Sequence, residues 1–263
     1  MTSTAENRLG FIGTGTITEA IVKGIVAGEG PIIPEIVLSP RSAQTAARLA
    51  ALSRTICVAR DNQHVVDASN TVFLAIRPNV AEDVVRALKF RQGQRVVSLV
   101  ATVDHATLRN WIDVPVDIVR AVPLPFVATR SGVTAIFPPD AAVEALFSNL
   151  GTAVACDTIE EYDLLAVASA LMGCYFGIMD HVVGWMEEKG LPRDSARAYL
   201  AQHFASLSAV AVNHPAISLE DLRHEYSTKG GLNEQMFVTY RDGEGLRALT
   251  QALDSVLNRV RGR

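Results

Sequence analysis

An apolar run from Arg8 to Ile12 ends in Gly13-Thr14-Gly15, and a helical pattern opens at Thr16 and continues to about Ala27. No other feature constrains the chain as tightly. A short buried strand that passes through two glycines straight into a helix turns sharply at the first and leaves the backbone bare at the second. The N–H groups at the start of that helix have no partners within it, and together with the helix dipole they favour an anion such as a pyrophosphate. Gly13, Gly15, Thr16 and Ile17 are therefore expected to bind a dinucleotide. The position where the usual motif has its third glycine is Thr18, a departure from the small residue preferred there.

Beyond the turn, strands alternate with short helices. Strands are expected at Glu35–Leu38, Thr55–Val58, Thr71–Ile76, Arg95–Val100, Val116–Ala121 and Gly132–Phe137. Helices are expected at Ser42–Ala51, Gln63–Ala68, Val80–Leu88 and Ala106–Trp111. This alternation predicts an α/β fold of Rossmann type, a parallel sheet with helices on both faces. From Glu160 onward no strand is expected. One long helix, apolar on most faces, runs from Glu160 to Lys189 and is stopped by Gly190-Leu191-Pro192. Asp194–Val212 is a second helix, closed by Asn213-His214-Pro215. Ser218 with Asp221 reads as a capping box opening a short helix. A loop over Ser227–Asn233 leads to a helix ending near Tyr240, and a last helix spans Leu246–Arg259. A helix that is apolar on most faces must be buried. A single layer of helices leaves it uncovered, so a partner chain is expected to cover it.

The end of the second strand distinguishes the two nicotinamide cofactors. A site for NAD places Asp or Glu there to hold the ribose hydroxyls. This chain has Ser39-Pro40-Arg41-Ser42, with no acid, one guanidinium and two hydroxyls. A guanidinium suits a 2′-phosphate through its fixed charge and fork of donors. NADP(H) is thus the expected cofactor, with NAD(H) left open, and Ser39, Arg41 and Ser42 are its candidate contacts. Asn62, after the third strand, and Ala75, Arg77 and Pro78, after the fourth, fall at strand C-termini, the edge where open α/β sheets bind ligands. Residues 1–158 are accordingly read as an NADP-binding Rossmann domain. Residues 159–263 are read as a helical dimerisation and substrate domain.

Composition narrows the class further. The formal net charge of −4 offers no basic excess for nucleic acid. Cys57, Cys156 and Cys174 have no metal or redox spacing and read as buried small hydrophobes in a reducing compartment. None of the six His has a carboxylate or Cys at metal-ligand spacing, so no metal is expected. Met1–Asn7 is polar and unlike a signal peptide. The apolar run Leu164–Met179 reads as too short to span a bilayer. A soluble cytoplasmic protein with no membrane partner is the expectation.

Five segments in order resemble the pyrroline-5-carboxylate reductase family: Gly10-Phe11-Ile12-Gly13-Thr14-Gly15, Phe73-Leu74-Ala75-Ile76-Arg77-Pro78, Arg120-Ala121-Val122-Pro123, Gly190-Leu191-Pro192-Arg193 and Gly230-Gly231. The first is common to many Rossmann enzymes, and the others add specificity by their order. The resemblance implies a Rossmann domain followed by a helical domain that interlocks with a second subunit. It also implies hydride transfer to a cyclic C=N bond, the last step of proline synthesis. It places Pro123 beside the nicotinamide and the loop around Gly230 and Gly231 on the substrate carboxylate. Three segments depart from the family. Leu124-Pro125-Phe126 stands where the family has Asn-Thr-Pro. Ser227-Thr228-Lys229-Gly230-Gly231-Leu232-Asn233 replaces a Ser/Thr-Ser-Pro-Gly-Gly loop. Ala170-Leu171-Met172-Gly173-Cys174-Tyr175 replaces Gly-Ser-Gly-Pro-Ala-Tyr. The implied consequence is a changed substrate, or a lost one, with Leu124 and Phe126 making a more apolar pocket.

The candidate substrate residues follow. The Lys229 ammonium beside two glycine N–H groups suits an anion. Ser227, Thr228 and Asn233 can add hydrogen bonds, although Asn233 also reads as the N-cap of the next helix. Tyr175 can donate a proton or orient the substrate, water being the alternative source. A silent NADP-binding protein of the same fold is the competing reading. A β-hydroxyacid dehydrogenase ranks lower, since Glu160–Glu188 holds no Lys to move a hydroxyl proton.

Overall fold

The structure is a computed structural model that describes residues 8–28 and 35–262. The Met1–Asn7 segment discussed above lies outside them. The described chain forms two compact units. One runs through Ser169 and takes in the chain again from Asn258, and the other is Ala170–Leu257. The expected division at 158/159 falls at the start of a helix that packs with the first unit.

The first unit is built on an eight-stranded sheet in the order β3-β2-β1-β4-β5-β6-β7-β8. Its strands are β1 (Arg8–Ile12), β2 (Glu35–Leu38), β3 (Ile56–Val58), β4 (Thr71–Leu74), β5 (Arg95–Ser98), β6 (Asp117–Pro123), β7 (Gly132–Phe137) and β8 (Gly151–Ala155). The first six are parallel in the doubly wound order, with the chain reversing direction across the sheet between β1 and β4. Helices α1 (Thr16–Val26), α2 (Ala43–Ala50), α3 (Asn62–Ala68), α4 (Pro78–Arg86), α5 (His105–Trp111) and α6 (Ala141–Ser148) cover it. Phe11, Phe73, Val119 and Ile136 point to one face, under Ile21 of α1, Leu49 of α2 and Phe147 of α6. Val37, Val72, Val96 and Ile118 point to the other, under Val65 of α3, Val85 of α4 and Leu108 of α5. Burial of both faces explains why these strands read as continuous apolar runs rather than alternating ones. Phe11 and Phe73 stack at 4.6 Å across β1 and β4, directly beneath the glycine turn.

Three features depart from the sequence expectation. The strand β7 runs antiparallel to β6, because Leu124–Ser131 joins them through a short 3-10 turn at Pro125–Thr129 and leaves no room for a crossover helix. The pair α6 and β8 was not expected. The helix is opened by Asp140, whose carboxylate accepts from Ala142 N and Val143 N at 3.0 Å each. The strand is a Gly-Thr-Ala-Val-Ala edge strand with little β-propensity of its own. Finally, β4 stops at Leu74 and α4 starts at Pro78, since proline at the first helical position sets the helical φ in advance.

Helix α7 (Ile159–Ser169) belongs to the first unit, with Tyr162 fully buried against Ala135 and Cys156. The returning chain adds an Arg261–Asp163 ion pair at 3.5 Å.

The second unit is helical throughout: α8 (Leu171–Glu188), α9 (Arg193–Asn213), α10 (Leu219–Glu225), α11 (Leu232–Asp242) and α12 (Gly245–Val260). Val183, Ala196 and Leu200 form its small core between α8 and α9. Arg193 ties the corner between them through Asp180 at 2.6 Å and Glu187 at 3.0 Å. Ser218 caps α10, accepting from Asp221 N at 3.0 Å as the sequence implied. Among the described residues α11 and α12 bury none, and α8 leaves Tyr175, Phe176, Ile178 and Trp185 exposed. The unit lacks cover for its apolar faces. Exposure also corrects the reading of the cysteines: only Cys156 is buried, while Cys57 lies on the edge strand β3 and Cys174 on the uncovered α8. The apolar run read as too short to span a bilayer lies inside Ile159–Glu188, which is long and apolar enough by length and composition alone.

Candidate active site

The ends of three strands converge at the glycine turn. Gly13 has φ +97°, and a Cβ there would stand 2.3 Å from the carbonyl oxygen of Ala75 at the end of β4. Its N–H donates to Ser39 Oγ at 2.9 Å, at the end of β2. Thr14, also buried, donates from its hydroxyl to the Ser39 carbonyl at 2.8 Å. Thr18, which replaces the third glycine, is fully buried and donates to Gly13 O at 2.7 Å. Its hydroxyl fastens the turn, so the substitution is a structural tie rather than a defect.

Gly15 is the N-cap of α1 and has no side-chain cap bond. It is exposed, with no atom within 4 Å of where a Cβ would be. Backbone N–H groups at Gly15, Thr16 and Ile17 therefore stand at an open helix N-terminus, suited to a pyrophosphate. Arg41 and Ser42 are exposed just beyond β2, and the described residues place no carboxylate at that strand end. Ser39 differs from expectation: fully buried, it spends its hydroxyl on the turn and presents none to a ligand. Arg77 is the exposed N-cap of α4, preceding Pro78. Asn62 heads α3, which Asp61 caps by accepting from His64 N at 2.7 Å. Pro123 is buried at the end of β6, paired with Thr134. These residues share the C-terminal edge of the parallel strands. The apolar Phe126 is exposed on the 3-10 turn that follows.

In the second unit, Ser227, Thr228 and Lys229 lie on the turn before α11, with Lys229 exposed and Ser227 half-buried. Gly230 has φ +71°. The two glycine N–H groups expected to hold an anion are both engaged. Gly231 N donates to Thr228 O at 2.8 Å, and Gly230 N donates to the Glu234 carboxylate at 2.6 Å. Asn233 is not the N-cap. Gly231 holds that position, and Asn233 Nδ2 donates to Tyr226 O at 2.6 Å, anchoring α11 to the end of α10. Sequence reasoning missed Glu234, although a Glu three residues after the cap is a known capping signal. Tyr175 is exposed on α8, with its ring 5.7 Å from that of Phe204. Among the described residues no group of acids, His or Cys can hold a metal.

Behind the strand edge lies a cluster of buried polar groups that sequence reasoning did not single out. Arg120 of β6 is almost completely buried, donates to Ala101 O at 2.7 Å and lies 4.6 Å over the Tyr162 ring. Burial pushes the Tyr162 phenol up to about 12. His105 bonds Ile118 O through Nε2 at 2.9 Å, and its Nδ1 is buried without a partner. Burial holds this imidazole below its ordinary range, with the Arg120 charge adding to the effect. A depressed histidine stays neutral in the fold while the unfolded chain takes up a proton. Stability should therefore fall as pH drops through the ordinary imidazole range. Urea unfolding at pH 7 and pH 5 tests this: the acid-side loss should shrink in His105→Phe, and an equal loss in both proteins refutes it.

Residues 8–102 match the family described as NADP oxidoreductase coenzyme F420-dependent. Residues 162–262 match the family described as pyrroline-5-carboxylate reductase dimerisation. Pyrroline-5-carboxylate reductase from Pseudomonas aeruginosa is 25% identical, over 96% of this chain and 95% of the relative. The enzyme of that name from Vibrio alginolyticus is 23% identical, over 96% of each. Among solved structures, 1-pyrroline-5-carboxylate reductase from Streptococcus pyogenes superimposes with a TM-score of 0.82 at 20% identity, covering 98% of this chain and 99% of that one. A reductive aminase from Aspergillus terreus, solved with NADPH4, cyclohexanone and allyl amine, reaches 0.61 at 17% identity, over 80% of this chain and 76% of that one. With one family model matched in each half, in order, and relatives aligned across nearly its whole length, the chain is similar throughout to pyrroline-5-carboxylate reductases.

Proposed function

We propose that this chain is an NADPH-dependent oxidoreductase that reduces the C=N bond of a cyclic imine, pyrroline-5-carboxylate or a related compound, and works as a homo-oligomer of at least two chains. The observation that carries the cofactor half is the open, uncapped helix start at Gly15 beside an exposed Arg41 on an acid-free strand end. The names of the relatives support the C=N half. The residues fit NADP(H): N–H groups of Gly15, Thr16 and Ile17 hold the pyrophosphate, and Arg41 with Ser42 holds the 2′-phosphate. Asn62, Ala75, Arg77, Pro78 and Pro123 border the same strand edge. NADPH bound there supplies a hydride to the imine carbon while the ring nitrogen takes a proton. A protonated imine is already electrophilic, so the chain's work is chiefly orientation. Tyr175 and the turn from Ser227 to Asn233 are assigned to the substrate, with the proton drawn from solvent or the Tyr175 phenol. Exposed apolar side chains on α8 and α11 support assembly with a second copy.

The test is NADPH oxidation by the purified protein with pyrroline-5-carboxylate, other cyclic imines and small keto acids, with NADH in parallel. Reduction of imines alone supports the proposal, and failure to bind NADPH overturns it. NADPH binding without turnover across the panel would favour a silent cofactor-binding protein. Arg41→Ala tests cofactor choice. Charge-assisted bonds to a phosphate contribute about 1.5–3 kcal/mol, so the Kd for NADPH should rise roughly 10- to 100-fold while that for NADH stays nearly constant.

A further inference from the structure

Resting on the reductase reading above, we propose that the preferred substrate is a cyclic imine carrying no carboxylate, and that Glu234 sets this preference. A turn of two glycines at a helix start is normally a place for an anion, because its N–H groups point outward and the helix dipole favours negative charge. Here the chain fills that place itself. Gly230 N–H is held by the Glu234 carboxylate at 2.6 Å, a charge-assisted bond. Gly231 N–H is held by the Thr228 carbonyl at 2.8 Å. Asn233, the other amide of the turn, directs its Nδ2 to Tyr226 O at 2.6 Å. Both glycine N–H groups and the Asn233 amide of the turn are therefore occupied.

Charge points the same way. Lys229 is the one cation between Ser227 and Glu234, and Glu234 balances it, so the segment is neutral overall. A carboxylate arriving here must displace Glu234 from its bond or stand beside a like charge. An imine without a carboxylate meets neither obstacle, and in its protonated form it carries the sign that Glu234 attracts. Specificity then comes from a repulsive element in the chain itself.

The experiment compares kcat/KM for 1-pyrroline and pyrroline-5-carboxylate in the full-length protein, in Glu234→Ala and in Glu234→Gln. The unsubstituted ring should lead by roughly tenfold or more in the natural chain. Glu234→Ala should shift the ratio toward the carboxylated ring by about fivefold or more, mainly through its KM. Glu234→Gln keeps a hydrogen-bond acceptor for Gly230 and loses only the charge, so it should fall between the two. If circular dichroism finds the alanine variant unfolded, the glutamine variant carries the test. A natural chain that prefers pyrroline-5-carboxylate, or a ratio that neither folded variant moves, overturns the inference and leaves the reductase reading standing. If NADPH binds and neither imine is reduced, both fall together.

Discussion

Valine in place of Gly13 is expected to abolish NADPH binding and to destabilise the first unit by about 2–4 kcal/mol. Two effects combine. At φ +97° a β-branched residue is strained, and its Cβ would sit 2.3 Å from the Ala75 carbonyl oxygen. That oxygen belongs to backbone at the end of β4, in the middle of the sheet, and cannot rotate away as a flexible side chain would. The turn must open, and the start of α1 moves with it. Gly15→Ala is the informative partner. Its Cβ meets nothing within 4 Å, so stability should change by less than about 0.5 kcal/mol. The same methyl group stands where a pyrophosphate must approach, so the NADPH Kd should still rise at least roughly tenfold. Thermal unfolding and fluorescence titration of both variants separate the two roles. If Gly13→Val binds NADPH normally, the site lies elsewhere.

The second large effect concerns assembly. Phe176 is 59% exposed and Trp185 56%, both on α8, where only Val183 is buried. Leaving such side chains in water forgoes about 1.5–3 kcal/mol each relative to burial. Charging both, as Phe176→Glu with Trp185→Glu, should turn an oligomer into a monomer by sedimentation and remove reductase activity. NADPH binding in the first unit should survive. A natural chain that is monomeric at micromolar concentration would refute the homo-oligomer.

The parts of the molecule readable from sequence are those where one local rule governs. The Gly13–Gly15 turn, the apolar strands buried on both faces and the Ser218 cap each follow from residue type and spacing. The direction of β7 does not, because it depends on the length of the connection from β6. The edge strand β8 is nearly invisible, since Gly151-Thr152-Ala153 gains its place from neighbours rather than propensity. Within the candidate site, the positions of Gly15 at the helix start and Arg41 beyond β2 were accessible to sequence reasoning. The duties of Ser39, Thr18 and Asn233 were not, because each is decided by a hydrogen bond to a residue distant in sequence or a turn away. A hydroxyl or amide reads the same on paper whether it faces a ligand or a carbonyl.

The tie between Ser39 and Gly13 bears on the thermodynamics of ligand capture. Through two buried hydroxyls, those of Ser39 and Thr14, the ends of β1 and β2 are fastened to each other during folding. The backbone freedom that a looser loop would surrender on meeting a nucleotide is already gone. Calorimetry should then find a small entropic penalty for NADPH, and Ser39→Ala should enlarge it without removing any atom that touches the ligand.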